Sequence, residues 1–389
     1  TWYGFHRNIT AKAVLEECKS ASERGIKTLI LDDGWYTDAE NPQFYYCGDW
    51  TPSKGKFPDM KAFADEIHKL GMKVMVWFSV PYLGSKSNLY KEFSDMQIRN
   101  ETNWNCLDFR FPKVRDYLFD VYTKAASAWG IDGMKLDFID SLYIEKGFDK
   151  PALGHDCDSL EEGMEKFLQR LIPALKRINP EFMIEFRQYY IGNNITRFAD
   201  MIRVNDCPYD ALRNRTAILA LRMMCGDVPI HSDMIRWSRE TETEDAALQI
   251  VSSLFAVLQI SVRESDLSAE SRKMLDFYLD FSQRKRETLL SGKLRVKKPD
   301  MNYTEASVEL NNERIKIIYT TVLCEIGDFD EEIVINASGE TKNTFYGNTA
   351  DIMYEVYDCM GNVRSNGALA SARAEVIDIP KCGMIIFRR

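Results

Sequence analysis

No apolar run in the 389-residue chain approaches the roughly 18–20 residues that a helix needs to cross a membrane. Basic residues are fewer than acidic ones: the chain has 50 Lys and Arg and 59 Asp and Glu, which gives a net charge of −9. A nucleic-acid-binding protein normally carries a basic patch or stripe. We therefore expect neither a membrane nor a nucleic acid as a partner. The acidic balance suits a neutral or cationic small substrate.

The chain has nine cysteines but no Cys-x-x-Cys pair. An odd number of cysteines in a chain of this length argues against a disulfide framework, and we expect reduced, mostly buried thiols. The sequence has no recognisable signal peptide. Together these features lead us to expect a cytoplasmic protein. Assembly into a homo-oligomer is left open.

Short apolar runs alternate with amphipathic, helix-like segments through the first three quarters of the chain. A parallel sheet that is covered by helices on both faces produces this alternation. We therefore predict a (β/α)8 TIM barrel, a catalytic domain over residues 1–292. Its eight predicted strands are Trp2–Phe5, Thr28–Leu31, Val74–Phe78, Cys106–Phe109, Met134–Phe138, Met183–Phe186, Met201–Val204 and Val228–Ile230.

The pattern changes near Gly292, after which apolar and polar residues alternate with a period of two. Turn residues such as Gly361 and Gly383 separate the alternating runs. Short strands with turn signals between them are typical of an all-β domain. We predict a C-terminal antiparallel β-sandwich over residues 293–389.

Acidic residues follow six of the eight predicted barrel strands. The active site of a TIM barrel lies at the carboxyl ends of its strands. Carboxylates that crowd together repel one another, and such a cluster usually persists because it has a function. The acidic residues at the strand ends are Asp32, Asp33, Asp108, Asp137, Glu185, Asp206 and Asp233.

Two kinds of chemistry use such a cluster. One is metal binding by carboxylate oxygens together with histidine. The other is glycoside cleavage, in which one carboxylate is the nucleophile and another is the acid/base. Aromatic residues near the strand ends favour the second, because flat rings pack against the apolar faces of sugars. These residues are Trp2, Trp35, Tyr36, Trp50 and Trp77.

Six motifs occur in order over about the first 210 residues. They are Gly-Ile-Lys-Thr-Leu-Ile-Leu-Asp-Asp-Gly-Trp at 25–35, Gly-Asp-Trp at 48–50, Lys-Phe-Pro at 56–58, His-Lys-Leu-Gly-Met-Lys at 68–73, Leu-Asp-Phe-Arg-Phe-Pro-Lys-Val-Arg-Asp-Tyr-Leu at 107–118 and Gly-Ile-Asp-Gly-Met-Lys-Leu-Asp at 130–137. In this order they resemble the retaining α-galactosidases of glycoside hydrolase clan D, nearest to family 36, the melibiases. The resemblance implies double-displacement hydrolysis of terminal α-galactosides, an oligosaccharide or glycoside as substrate, and no cofactor or metal.

The resemblance also implies individual roles. Asp137 matches the nucleophile and Asp206 matches the general acid/base. Asp32 and Asp33 match the pair that binds the 4- and 6-hydroxyl groups of galactose. Lys135 matches a ligand of the sugar hydroxyls.

Further residues are expected to bind the substrate. Trp35 and Trp50 would form walls of the pocket. Arg203 is expected to contact the sugar or to orient the acid/base, and Arg187 is a candidate for contacts at the 2- and 3-positions.

The chemistry of the residues agrees with these roles. Lys135 and Asp137 share one face of a strand, because strand side chains alternate with a period of two. A nearby cation lowers the pKa of a carboxylate, and a nucleophile must be ionised. In a retaining enzyme the nucleophile and the acid/base lie roughly 5–5.5 Å apart. Nearby alternatives to Asp206 as the acid/base are Asp200, Asp210 and Asp233.

Departures from the family pattern keep other functions open. Residues 185–190 read Glu-Phe-Arg-Gln-Tyr-Tyr where the family typically has a glycine-rich loop, and Leu136 replaces a tryptophan. An α-N-acetylgalactosaminidase, a β-L-arabinopyranosidase and a raffinose-synthase-like transglycosylase remain alternatives. So does a non-catalytic carbohydrate-binding barrel, and a metal-dependent hydrolase is a third class. We expect His155 and Cys157 to lie in a polar loop, because the sequence offers no second ligand cluster.

Overall fold

The computed structural model describes residues 1–99, 104–144, 153–188, 191–347, 352–369 and 374–389. The chain divides into two units, Thr1–Arg203 and Val204–Arg389. The predicted domain boundary at residue 292 stays a prediction. Within the described ranges, no helix is both long enough and apolar enough to cross a membrane.

The first unit alternates helices with short strands. Its helices are α1 (Trp2–Phe5), α2 (Ala11–Glu23), α3 (Met60–Lys69), α4 (Pro112–Trp129), α5 (Leu160–Ile178) and α6 (Asn193–Thr196), with a 3₁₀ helix at Ser94–Met96. Its strands are β1 (Thr28–Leu31), β2 (Lys73–Ser79), β3 (Gln97–Arg99), β4 (Asn105–Leu107), β5 (Gly133–Asp137), β6 (Met183–Arg187) and β7 (Met201–Arg203).

Strands β1, β2, β5, β6 and β7 are neighbours in that order, and every pair is parallel. All five residues of β5 are buried, which is typical of a parallel sheet covered on both faces. These strands form a curled half-barrel in a mixed α/β fold. This half-barrel is the part of the predicted TIM barrel that is confirmed.

Two of the predicted barrel strands are wrong. Residues Trp2–Phe5 form helix α1, because a four-residue apolar run cannot by its pattern alone be distinguished from a helical turn. The run Cys106–Phe109 does contain a strand, β4, but β4 pairs antiparallel with β3. Local pattern identifies an extended segment but not its partner.

Local capping explains where several helices begin. The side chain of Thr10 accepts a hydrogen bond from the amide of Ala13 at the start of α2. Asp59 does the same for α3 and Ser159 for α5. Each cap satisfies an amide that has no partner within the helix, and so each fixes the first residue of the helix.

The second unit begins with helices and continues with strands. Its helices are α7 (Ala211–Met224), α8 (Thr243–Val251), α9 (Ala269–Arg284) and α10 (Arg286–Ser291), with 3₁₀ helices at Glu264–Asp266 and Pro299–Met301. Its strands are β8 (Ile230–His231), β9 (Lys293–Lys297), β10 (Glu305–Leu310), β11 (Glu313–Ile318), β12 (Leu323–Ile326), β13 (Glu331–Asn336), β14 (Lys342–Gly347), β15 (Met353–Tyr357), β16 (Val363–Ala368), β17 (Glu375–Asp378) and β18 (Met384–Arg388).

Strands β9–β18 form two sheets. One sheet has the order β16-β15-β18-β13-β11-β10-β9, and the other has the order β12-β14-β17. Apolar side chains from both sheets pack into a shared core, as in a β-sandwich. The core residues are Ile318, Cys324, Ile326, Val334, Phe345, Ile352, Val356, Leu369, Ile377, Ile379, Ile385 and Phe387.

The prediction of a purely antiparallel sandwich is wrong for two pairs. Strand β11 pairs parallel with β13, and β12 pairs parallel with β14. The chain alternates between the sheets here, because β12 belongs to the small sheet while β11 and β13 belong to the large one. A strand that returns to its sheet after such a crossing can enter in the same direction as before.

Two aspartates fasten the amino ends of the parallel strands. Asp132 donates its amide to the Val74 carbonyl and accepts the Val74 amide through its side chain at 2.7 Å. Asp200 makes the same two contacts with Ile184, at 3.0 and 2.9 Å. The Asp200 carboxylate also binds the Lys176 ammonium at 2.7 Å. These contacts join neighbouring strands at the end of the sheet opposite to Asp137.

We predict that Asp200→Ala destabilises the fold by about 1–2 kcal/mol, because the Ile184 amide and the Lys176 ammonium lose their acceptor. Urea unfolding followed by circular dichroism measures the loss. The matched control is Glu23→Ala at an exposed helix end, which should change the free energy of unfolding by less than about 0.5 kcal/mol. Equal stability of the two variants would contradict this role of Asp200.

Candidate active site

Buried charged residues meet at the carboxyl ends of the parallel strands of the first unit. Lys135 of β5 is in register with Glu185 of β6, and Asp137 is in register with Arg187. Arg203 ends β7, the strand that pairs with β6. All five side chains are buried. The parallel register therefore places two carboxylates and three cations within one small region.

Lys135 binds a carboxylate at the end of a different strand. Its Nζ lies 2.6 Å from Oδ2 of Asp32, the residue that directly follows β1, and both side chains are buried. Burial alone would raise the pKa of Asp32, but the Lys135 charge and the other contacts outweigh burial and lower it. Asp32 is therefore ionised and fixed at the mouth of the sheet.

Asp33 is held by two donors. Arg7 Nε donates to Oδ2 at 2.6 Å, and the Tyr36 hydroxyl donates to Oδ1 at 2.9 Å. Burial nevertheless raises the pKa of Asp33 to about 6, against the lowering effect of Arg7. The contact of Arg7 could not be predicted from the sequence, because Arg7 lies 26 positions before Asp33.

Asp137 has a defined partner for each of its oxygens. The indole Nε1 of Trp77 donates to Oδ2 at 2.9 Å, and the amide of Phe138 donates to Oδ1 at 2.9 Å. The Arg187 guanidinium lies 3.6 Å from Oδ1. These contacts hold the carboxylate at one orientation, as a nucleophile requires.

The pKa of Asp137 is raised, which corrects the expectation from the sequence. Burial is the largest cause, and the charges of Lys135, Arg187 and Arg203 oppose it without overcoming it. Lys135 does act in the expected direction, but its ammonium donates to Asp32. The ionised form of Asp137 therefore depends on the sum of several cations.

Trp35, Trp50 and Trp77 form a cluster. Trp35 is fully buried, and its Nε1 donates to the Trp77 carbonyl at 3.0 Å. Its ring stacks on Trp50 with centroids 6.0 Å apart. The predicted role of Trp35 and Trp50 as pocket walls stays a prediction. The sequence pattern predicted only that Trp77 lies near a strand end. The hydrogen bond from Trp77 to Asp137 was not predicted.

The second unit contains Asp206, which is exposed. The alternatives to Asp206 hold the backbone in place. Asp210 caps α7 by accepting the Arg213 amide at 2.9 Å, and the buried Asp233 accepts the Cys207 amide at 2.6 Å. Asp200 fastens the amino end of β6, as described above. The role of Asp206 as the acid/base stays a prediction.

His155 lies beside a buried ion pair of Asp108 and Arg110. Its Nε2 lies 3.2 Å from Oδ2 of Asp108, whose carboxylate also receives the Arg110 guanidinium at 2.9 Å. Across the described ranges, no group of three or more His, Cys, Asp and Glu side chains is placed to hold a metal ion. Tyr189 and Tyr190, from the motif after the sixth predicted strand, lie outside the described residues.

Comparison with known proteins finds a family model, curated relatives and solved structures to which this chain is similar. The family model described as Melibiase matches residues 1–158. The α-galactosidase Mel36A of Lactobacillus acidophilus is 31% identical over 162 residues, which are 39% of this chain and 21% of that protein. The A type blood α-D-galactosamine galactosaminidase of Flavonifractor plautii is 28% identical over 185 residues, 42% of this chain and 16% of that protein.

Solved structures extend the likeness of fold to the whole chain. The family 36 α-galactosidase AgaA of Geobacillus stearothermophilus, in complex with raffinose, aligns with a TM-score of 0.69 at 15% identity. The alignment covers 100% of this chain and 55% of AgaA. The chain thus spans about half the length of that enzyme and a smaller share of the curated relatives. These matches confirm that the chain is similar to the family 36 α-galactosidases and that its melibiase-like segment covers residues 1–158.

Proposed function

We propose that this chain is a retaining glycoside hydrolase that removes terminal α-galactosyl groups from oligosaccharides or glycosides. The observation that carries the proposal is the Asp137 carboxylate, which is buried at a strand end and oriented by Trp77 and the Phe138 amide. The names of the similar proteins supply the sugar. We also propose that the half-barrel is part of a catalytic domain over residues 1–292, followed by the sandwich domain.

In the proposed mechanism, Asp137 attacks the anomeric carbon while Asp206 donates a proton to the departing glycosidic oxygen. The bond from carbon to the leaving oxygen breaks as the bond to Asp137 forms, which gives a covalent β-galactosyl ester. Water then attacks the same carbon and gives its proton to Asp206. Two inversions release galactose in the starting α configuration, and both carboxyl groups return to their first state.

The contacts of Asp137 suit this role. Orientation of a nucleophile before attack lowers the entropic part of the activation free energy of the reaction. The Trp77 indole and the Phe138 amide supply that orientation from two directions. Both are neutral donors, so they stabilise the carboxylate less than a charged partner does and leave it more nucleophilic.

The neighbouring acidic pair suits recognition of hydroxyl groups. Asp32 shares its Oδ2 with Lys135, and Asp33 holds Arg7 and Tyr36. A sugar hydroxyl both donates and accepts, so a fixed carboxylate beside a fixed ammonium can satisfy it fully. We propose that this pair binds the 4- and 6-hydroxyl groups, with Lys135 as a further donor.

A second candidate changes the group at the 2-position of the sugar. The name of the Flavonifractor plautii relative refers to a galactosamine substrate. A panel of aryl α-galactoside, 2-acetamido-galactoside, 2-amino-galactoside and β-L-arabinopyranoside substrates separates the candidates by kcat/KM. A protein that binds galactose in calorimetry but cleaves none of the panel would instead be a non-catalytic binding protein.

The first test is the nucleophile. We predict that Asp137→Ala lowers kcat/KM for an aryl α-galactoside by about 1,000-fold or more, because no covalent intermediate can form. Added azide can occupy the vacated space and should give β-galactosyl azide, detected by NMR. Asp116→Ala, at an exposed helix position, is the control and should keep wild-type rates. Undiminished hydrolysis by the Asp137 variant would remove the assignment.

The second test is the acid/base, which matters most when the leaving group is poor. For Asp206→Ala we expect kcat/KM to fall by about 100- to 10,000-fold with phenyl α-galactoside. It should change little with the dinitrophenyl substrate, whose leaving group needs no proton. Azide should restore turnover and give α-galactosyl azide.

The control for the acid/base is Asp210→Asn, which removes a nearby carboxylate but keeps a good helix cap. It should retain wild-type kinetics with both substrates. If kcat/KM of the Asp206 variant fell equally with both substrates, or if no azide product formed, another residue would be the acid/base.

A further inference from the structure

Arg187 lies unusually close to the proposed nucleophile. It stands directly across from Asp137 on the neighbouring strand, and its Nη1 is 3.6 Å from Oδ1. Both side chains are only 7% exposed. A charge pair at this distance and with so little water interacts strongly, because solvent screens it poorly.

An aromatic residue fixes the guanidinium from the other side. The Arg187 Cζ lies 5.3 Å from the ring centroid of Phe138, which is within the range of a cation–π contact. The Phe138 ring stacks on the Tyr82 ring with centroids 4.8 Å apart. It also makes edge-to-face contacts with the rings of Phe44 and Trp77. The position of the guanidinium is therefore set by rings that are themselves packed.

The backbone of Phe138 explains how one residue makes two contacts. Its φ is +61°, a left-handed conformation that is uncommon and strained for a bulky residue. In this conformation its amide donates to Oδ1 of Asp137 while its ring lies under Arg187. Strain of this kind persists where the surrounding structure requires it.

We propose that Arg187, held over the Phe138 ring, is a positioning residue that keeps the Asp137 carboxylate ionised and in place for attack. The proposal rests on the proposed function, because it assigns a role to Arg187 within that reaction. It differs from the sequence expectation, in which Arg187 contacts the sugar.

Several other charges act on Asp137. Lys135 lies on the same strand and donates to Asp32, and its charge lowers the pKa of Asp137 more than the charge of Arg187 does. Arg203 acts on Asp137 from β7, and the buried Glu185 lies two residues before Arg187 on β6. Burial favours the protonated acid at Asp137, and Arg187 is the cation placed across from it in the sheet register.

The experiment measures the acid limb of kcat/KM against pH with dinitrophenyl α-galactoside. This limb reports the ionisation of Asp137 and of the proposed sugar ligand Asp33, since the substrate needs no proton from the acid/base. Arg187 stands across from Asp137 in the sheet register, so replacing it should move the contribution of Asp137. Loss of the cation raises the pKa of Asp137, so activity is lost at a higher pH. In Arg187→Gln the limb should move up by about one pH unit or more.

Two further variants test the geometry. Arg187→Lys keeps the charge without the planar group, and the limb should move up by less than in the glutamine variant. Phe138→Leu removes the ring, and the limb should move in the same direction by a smaller amount. Both variants keep the proposal testable if the glutamine variant does not fold.

The control is Arg115→Gln, which removes a buried arginine that binds Asp156 and the Phe109 carbonyl. It should lower the melting temperature and leave the acid limb unmoved. Acid limbs of Arg187→Gln and Phe138→Leu that coincide with the wild type would overturn the proposal. A wild-type chain that cleaves no aryl glycoside overturns the proposed function instead, so the two failures are distinguishable.

Discussion

The structure of the site depends on keeping one carboxylate charged and fixed where little water reaches it. Removing a carboxylate from water is costly unless donors and cations replace its hydration. Trp77 and the Phe138 amide supply the donors for Asp137, and Arg187 supplies a nearby charge. Trp77 is itself held in place, because the indole Nε1 of Trp35 donates a hydrogen bond to the Trp77 carbonyl. An aromatic cluster that looks like ordinary core thus fixes the position of the Asp137 carboxylate.

The parallel register makes this support possible. Ser79, Asp137 and Arg187 form one row across β2, β5 and β6. Trp77, Lys135 and Glu185 form the row two residues earlier. A slip of one residue in any strand would turn its charged side chains to the opposite face of the sheet. Asp132 and Asp200 oppose such a slip from the other end, since each binds both backbone groups of one residue on the adjacent strand. The two ends of the sheet therefore have different roles. The amino end fixes the register, and the carboxyl end carries the charged residues whose positions depend on that register.

Much of this arrangement could be predicted from local sequence, and some could not. The apolar runs at 28–31, 74–78 and 134–138 predicted the strands, and the acidic residues after them predicted the end of the sheet that carries the site. The partner of Lys135 could not be predicted, because 103 residues separate it from Asp32. The parallel pairing of β11 with β13 also depends on which sheet the intervening strand joins. The left-handed backbone conformation of Phe138 is set by tertiary packing, and the local sequence does not predict this conformation.

The central claim is that Asp137 forms a covalent bond with the sugar. A 5-fluoro-galactosyl fluoride should form this intermediate and slow its hydrolysis, because fluorine destabilises the positive charge of the transition state. Tryptic digestion and tandem mass spectrometry of the trapped protein measure where the sugar is attached. The account predicts one added fluorogalactosyl group on peptide 136–146, localised to Asp137. A label on any other carboxylate, or turnover of aryl α-galactosides that yields β-galactose first, would contradict it.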